Sequence, residues 1–434
     1  ISLNNAGAYI DKPLEMAIVL NTPFTILRTL DVQAFKPKKY YTEKELTKLY
    51  TPVKHFESDS TFNEKNVVVI IVESLAREYI GALNKDIANY KGFTPFLDSL
   101  IAQSHTFTNA FANGRKSIDA LPSVVASVPS LVQPYILSPY ATNEINGLGS
   151  ILARKGYKTA FFHGAPNGSM GFEAFMNTAG YQEYYGYDEY NNSADFDGNW
   201  GIWDEKFLQF TAQKLTEFKT PFLATIFTLS SHHPFKVPKA FEGKFQKGSL
   251  PIHRPIQYLD YSLKRFFATA GTKPWFKNTI FVITADHCNQ TILPEYQSAV
   301  GNFAVPIIIY QKEKPEAIQL DSTVSQQADI MPKILRELNY SGDFISFGTD
   351  VLTEDRPFAV NYYNQTWNYY EGDYLLQFRD VKTVGLYQYK QDRTLKNNLM
   401  NKAIEQKEHM VARLKAYIQQ YYNRLINNKM TVSN

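Results

Sequence analysis

The sequence predicts an α/β fold: a largely parallel central sheet with helices on both faces, then a small C-terminal antiparallel sheet and a closing helix. Three observations predict it. Short β-branched runs bounded by polar residues recur between residues 65 and 310, and strands buried on both faces require runs of that length and composition. Stretches of helical period separate them, and strands alternating with helices build βαβ units. Past residue 355 the texture changes to apolar–polar alternation.

Residues 1–64, rich in Pro, Lys and Tyr ("AFKPKKYYTEKEL"), read as an N-terminal arm or linker. Residues 65–354 read as the α/β domain. Its predicted strands are "NVVVIIVESL", "YKTAFFHG", "PFLATIFTLS", "NTIFVITADH" and "AVPIIIYQ". Its predicted helices are "TPFLDSLIAQS", "GLGSILARKG", "DEKFLQFTAQKLTEF", "IQYLDYSLKRFFAT" and "QQADIMPKILRELN". Residues 355–434 supply the small sheet ("PFAVNYY", "DYLLQFRD", "TVGLYQYK") and the amphipathic helix "AIEQKEHMVARLKAYIQQYYNRL".

Composition narrows the function classes. A net charge of +3, with Lys and Arg dispersed along the chain, gives no footprint for nucleic acid. A single cysteine excludes an intrachain disulfide framework and a thiolate zinc cluster. Aromatic residues reach 15%, enough to line a carbohydrate or lipid-headgroup surface as well as a core. No run approaches the roughly 18 apolar residues of a membrane span. The chain begins with Ile1 rather than Met, and reads as a piece of a longer protein.

In open parallel sheets, ligands gather beyond the carboxyl ends of the strands. The polar residues that follow the buried runs are Glu73, His163, the trio Ser231, His232 and His233, and the pair Asp286 and His287. Each has an ordinary reading: a solvated carboxylate, a core-edge histidine, loop histidines, a turn or cap aspartate. Their coincidence at one predicted edge suits a divalent metal with oxygen and nitrogen ligands. In "ANGRKSIDALPSVVAS", Ser117 stands where a helix begins, as an N-cap with Asp119 in the first turn. The same place suits an anion, with Arg115 and Lys116 adding charge. A serine hydroxyl attacks only when a base or a metal activates it, and an ion held by Glu73, Asp286 and His287 could do so.

"VVVIIVESLAREYIG", "NGRKSIDALPS", "FTLSSHHPF" and "FVITADHCN" occur in the order and approximate spacing of the alkaline phosphatase/sulfatase superfamily. The chain resembles the extracellular catalytic domain of lipoteichoic acid synthase-like phosphoglycerol transferases, over roughly residues 65 to 345. "GYKTAFFHG", "GNWGIWDEKFL", "YLDYSLKRFF" and "QQADIMPKIL" belong to the same resemblance.

The resemblance implies that residues 65–354 are the catalytic domain, with Glu73, Asp286 and His287 as metal ligands. Ser117 becomes both ligand and nucleophile, where the family usually has threonine. His232 contacts the phosphate or protonates the leaving group, Trp200 and His163 shape the head-group pocket, and Arg77 or Lys116 neutralises the phosphate. The implied cofactor is one divalent ion, Mn2+ or Mg2+, with Zn2+ possible. The implied partners are a phosphatidylglycerol-like donor, a glycan or polymer acceptor, and a membrane surface reached through an N-terminal anchor that is missing here. The implied location is the extracytoplasmic face of a bacterial membrane.

One departure stands out: Cys288 occupies the place of the usual glycine after the Asp-His pair, as a packing residue or a further soft ligand. The alternative functions are a sulfatase-like hydrolase, a phosphoethanolamine transferase, or a silent homologue that binds glycan or lipid head groups. A formylglycine sulfatase fits neither Cys288 nor Ser117, because neither is followed by the required Pro or Ala and Arg.

Overall fold

The computed structural model describes residues 34–219, 221–350, 354–402 and 405–432; the first half of the expected N-terminal arm lies outside them. The strands are β1 Val53–Phe56, β2 Asn66–Val72, β3 His105–Phe111, β4 Lys158–His163, β5 Glu183–Tyr185, β6 Phe222–Phe227 and β7 Thr279–Ala285, then β8 Ile307–Tyr310, β9 Gln319–Gln326, β10 Gly342–Ile345, β11 Phe358–Tyr363, β12 Thr366–Glu371, β13 Tyr374–Arg379 and β14 Lys382–Tyr387. The α-helices are α1 Glu43–Leu49, α2 Pro95–Ile101, α3 Ser117–Ala126, α4 Leu148–Ala153 and α5 Phe172–Thr178, then α6 Tyr187–Tyr190, α7 Asp204–Glu217, α8 His253–Ala270, α9 Ile330–Glu337 and α10 Glu405–Ile426.

The main sheet has the order β5-β4-β6-β2-β7-β8-β3-β9. β8 alone runs against its neighbours, pairing antiparallel with both β7 and β3. The other pairs are parallel, so the chain leaves β2, β3, β4, β6 and β7 at one common edge.

β2 shows why the sequence folds this way. All seven of its residues are buried, and successive side chains point to opposite faces. Val67, Val69 and Ile71 join the core under α3, α4, α5, α9 and α10. Val68, Ile70 and Val72 join the core under α2, α7 and α8. Helices therefore cover both faces.

β1, β3, β5, β9, β10 and β12 are not among the predicted strands. β9 is a sheet edge whose first five residues are exposed or half-buried, so its sequence "QLDSTVSQ" carries no apolar run. β12, "TWNYYE", is buried at every position, so its polar residues disguise it. β11 to β14 form the antiparallel C-terminal sheet.

Residues 34–64, read from the sequence as arm or linker, hold α1 and β1. β1 pairs with β10, and the main-chain N–H of Lys38 and Tyr40 bond Asn423 (2.9 Å) and Gln419 (2.6 Å) of α10. Tyr50 and Phe358 each pack a ring against Tyr417 of α10, at 5.0 and 5.7 Å. Among the described residues no helix is long and apolar enough to cross a membrane.

Candidate active site

Strand register sets the site. β2 and β7 pair from Asn66↔Thr279 to Val72↔Ala285, so Glu73 and Asp286 leave the sheet side by side. Ser74 then takes a left-handed φ of 58°, turning the chain away from the strand line. Its N–H donates to Asp286 Oδ1 (2.7 Å) and its hydroxyl to Glu73 Oε1 (2.5 Å). The His287 N–H also donates to Asp286 Oδ1, at 2.6 Å.

One ligand atom each from Glu73, Asp286 and His287 lies within 4.8 Å of the others, and all three residues are buried. His287 Nδ1 faces the Cys288 carbonyl at 2.9 Å, which requires Nδ1 to carry the hydrogen. Nε2 then faces Glu73 Oε1 (3.8 Å) and Asp286 Oδ2 (3.4 Å). Asp286 Oδ2 is buried with no hydrogen-bond partner, a vacancy that costs about 1–3 kcal/mol when unmet. Two carboxylates and an imidazole nitrogen gathered this closely, one oxygen of them unpartnered, are compatible with a divalent cation.

Burial and the adjoining Glu73 carboxylate hold Asp286 well above the ordinary carboxyl range. Burial pushes Glu73 the same way, but His287, Asp286, His232 and the Ser74 hydroxyl together outweigh it and hold Glu73 low.

Ser117 completes the cluster. Its Oγ donates to Glu73 Oε2 at 2.9 Å. The sequence predicts Ser117 as the N-cap; the extended residue is Lys116 instead, and Ser117 is the first helical residue of α3. That one-residue shift frees the hydroxyl from capping. Asp119 Oδ2 accepts the Arg115 N–H (3.2 Å), fixing the turn before Ser117. Burial pushes its carboxyl up to about 6. Gly114 is required in that turn, because a Cβ would stand 2.2 Å from the Asp119 Cβ.

The other predicted residues divide. His232 is half-buried on the loop after β6, and the exposed Trp200 ring lies against it, centroids 4.1 Å apart. His163 is buried between Phe172 (5.2 Å) and Phe227 (5.7 Å), and burial lowers it to about 4, so it is neutral. Lys116 is exposed. The Arg77 guanidinium is not aimed at the cluster: it donates to Tyr296 Oη (2.9 Å) and the Thr108 carbonyl (2.6 Å). Arg115, named in the sequence only as added charge, lies against the rings of Tyr363 (5.3 Å) and Phe303 (5.7 Å).

Cys288 is a packing residue. It has no positive φ, its Sγ faces the Ala304 carbonyl at 3.0 Å, and burial pushes the thiol up to about 12. A protonated thiol turned toward a carbonyl is no metal ligand.

Two supports escaped the sequence reading. Asp204 accepts the Leu229 (2.9 Å) and Ser230 (3.0 Å) N–H groups, bracing the loop that carries His232. Its place opening α7 beside Trp203 signals only an ordinary first-turn acid. Gln327 accepts the Asn113 N–H (2.9 Å) and donates to the carbonyls of Ala285 and Asp286, both at 2.7 Å. A glutamine in a helical pattern carries no signal of that role.

Comparison with known proteins agrees with this architecture. A family model described as Sulfatase matches residues 65–340, more than half of the chain. The lipoteichoic acid synthase-like YvgJ of Bacillus subtilis is 25% identical over 371 residues, covering 77% of this chain and 58% of that protein. The lipoteichoic acid synthase of Staphylococcus aureus is 25% identical over 381 residues, covering 80% and 56%. The chain thus spans little more than half the length of these relatives. An alkaline phosphatase superfamily protein from Vibrio parahaemolyticus superposes with a TM-score of 0.76 at 21% identity, covering 99% of this chain and 98% of that one. The lipoteichoic acid synthase LtaP of Listeria monocytogenes does so with 0.73 at 20%, covering 89% and 99%. With the eight-stranded sheet and the residues gathered at its edge, the match over residues 65–340 establishes that this chain belongs to the sulfatase family, an enzyme family of hydrolases and transferases.

Proposed function

We propose that this chain is a metal-dependent phosphoglycerol transferase or phosphodiesterase that acts on a phospholipid head group through a covalent phosphate on Ser117. The observation that carries the reading is the 2.9 Å bond from Ser117 Oγ to Glu73, beside the converging atoms of Asp286 and His287. The relatives named as lipoteichoic acid synthases support the choice of head group.

Glu73, Asp286 and His287 would hold the ion, with Ser117 adjoining. The oxygen-rich set favours Mn2+ or Mg2+ and leaves Zn2+ possible. When bound, a divalent ion lowers the pKa of a neighbouring hydroxyl and stabilises charge on the transferred group.

The protein's own groups do the rest. Ser117 passes its Oγ proton to Glu73 Oε2, and Oγ forms a bond to phosphorus as the bond to the diacylglycerol oxygen breaks; Glu73 returns that proton to Oγ when the phosphoserine is resolved. His232 donates a proton to that oxygen, then removes one from the water or acceptor hydroxyl that resolves the phosphoserine. Asp204 and Trp200 fix the loop and ring of His232, while neutral His163 and the exposed cation of Lys116 border the head group. The chain's place is the extracytoplasmic face of a bacterial membrane, as part of an anchored protein, with a phosphatidylglycerol-like donor and a glycan or polymer acceptor.

Intact-protein mass spectrometry after incubation with Mn2+ and phosphatidylglycerol tests the reading. A phosphoglycerol-sized adduct on the parent chain, absent from Ser117→Ala, is expected. Absence of both adduct and diacylglycerol release would overturn it in favour of a silent head-group-binding homologue or another ester donor.

A further inference from the structure

Arg77 leads away from the active site into a second cavity. This cavity, about 210 Å³, lies between β3, the loop after β7 and the segment after β14. It shares no lining residue with Glu73, Ser117, Asp286 or His287. The main chain at Ala304 forms part of the wall: its carbonyl meets Cys288 on one side, and the residue lines the cavity on the other.

Three cations line the space, Arg77, Lys390 and Arg393, against one carboxylate, Glu295. Lys390 pairs with Asp373 (2.9 Å), and Arg393 with Asp86 (2.5 Å) and, more loosely, with Glu295 (4.0 Å); these arginine and lysine side chains are a third to a half exposed and weakly held. Arg77 differs. Its partners are a carbonyl, a phenol and the Tyr296 ring 5.3 Å away, and among the described residues it makes no ion pair with a carboxylate. The Asp86 carboxylate also feels its charge, but a half-buried guanidinium whose hydrogen-bond partners are all neutral keeps that charge available to a ligand.

A second polar group faces the same space. Asn109 is 7% exposed and spends its amide hydrogens on Tyr389 Oη (2.7 Å) and the Ser322 carbonyl (3.4 Å). Among the described residues its Oδ1 has no donor, leaving an acceptor for a hydroxyl. The rings of Tyr296 and Tyr389 supply apolar walls of the kind on which a sugar ring packs.

We propose that this cavity binds a phosphate-bearing sugar, with the phosphate on Arg77, Lys390 and Arg393 and a sugar hydroxyl on Asn109. The volume suits one such unit and is below that of a drug-sized site. The proposal does not rest on the phosphoglycerol-transfer reading, because the two sites have separate residues.

The test is isothermal titration of the full chain carrying Ser117→Ala, in low-salt buffer with chelator, against glucose 6-phosphate, inorganic phosphate and glucose. Saturable binding of one glucose 6-phosphate is expected, with inorganic phosphate weaker and glucose undetected. Lys390→Ala with Arg393→Ala should weaken binding at least ten-fold, and Arg77→Gln should remove it. Arg77 also bonds Thr108, so a loss of folding in that variant would be read from its melting curve and the exposed double variant would decide. Absence of saturable binding, or unchanged binding in the double variant, overturns the site. Equal affinity for inorganic phosphate and the sugar phosphate overturns the sugar assignment.

Discussion

Ser117 and Glu73, 44 positions apart and on different strand-to-helix connections, meet through a 2.9 Å hydrogen bond at the edge of the sheet. The bond ties the proposed nucleophile to a proposed metal ligand, so a change in one is felt by the other.

Glu73→Gln keeps a hydrogen-bond acceptor for Ser117 but removes the charge. Metal content measured by elemental analysis should fall together with turnover. The loss should exceed the ~10–100-fold that residues merely supporting metal ligands cost. Full activity with a full metal complement would refute the ligand role.

His232→Ala should lower turnover by about 10²–10⁴-fold, the usual worth of a general acid. Metal content should be unchanged, because His232 lies outside the three-residue cluster. The effect should shrink with a donor whose leaving group needs no proton, such as a p-nitrophenyl ester. Loss of metal in this variant would assign His232 to the ion instead.

Metal-free protein should lose stability as pH rises from 5 to 7.5. Burial raises Asp204 to about 7 and Asp286 also lies high. An aspartate unfolds to a pKa of about 3.9, so between that value and its folded pKa the native state binds the extra proton and stability falls with pH. Mn2+ at 100 times its Kd should restore about 2.7 kcal/mol. At that same Mn2+ concentration, set from the Kd at pH 7.5, the gain should be smaller at pH 5, because protons compete with the ion for its ligands. Calorimetric melting with and without Mn2+ measures both slopes.

Gln327→Ala should cost on the order of 3 kcal/mol, since it strands a buried N–H and two carbonyls. Turnover should fall as well, because those groups hold the Ser117 turn against the Asp286 turn. Gln327→Glu, which keeps the acceptor for Asn113 but sets a buried carboxylate against the two carbonyls, should cost at least as much. Unfolding in denaturant and steady-state kinetics on the same samples would separate the two effects.

Cys288→Ala should cost about 1 kcal/mol as a small buried truncation and leave metal content and turnover unchanged. Altered metal content on elemental analysis would return the thiol to the ligand set.

Strands with continuous apolar runs were legible because burial on both faces of a parallel sheet leaves no room for polar residues; β2 and β7 are the clearest. β9 and β12 were not, since an edge strand may be polar and β12 buries its polar side chains in hydrogen bonds such as Asn368 to Asn361 at 2.8 Å. Glu73, Asp286 and His287 were legible because each follows such a run. Arg77 was misdirected: its nearness to Glu73 in sequence says nothing of where a long side chain lies, and Tyr296, far along the chain, draws it elsewhere. Gln327 and Asn113 gave no signal, because their role exists only through partners on other strands.

Asn113, four residues before Ser117, donates from its side chain to the Val360 carbonyl of β11 at 2.9 Å, across 247 positions of sequence. A ribosome releases Asn113 long before Val360, so the turn that presents Ser117 lacks one of its anchors until the C-terminal sheet has been synthesised and docked. The proposed nucleophile is in that sense framed last, and an unfinished chain carries Ser117 without the contact that holds its turn.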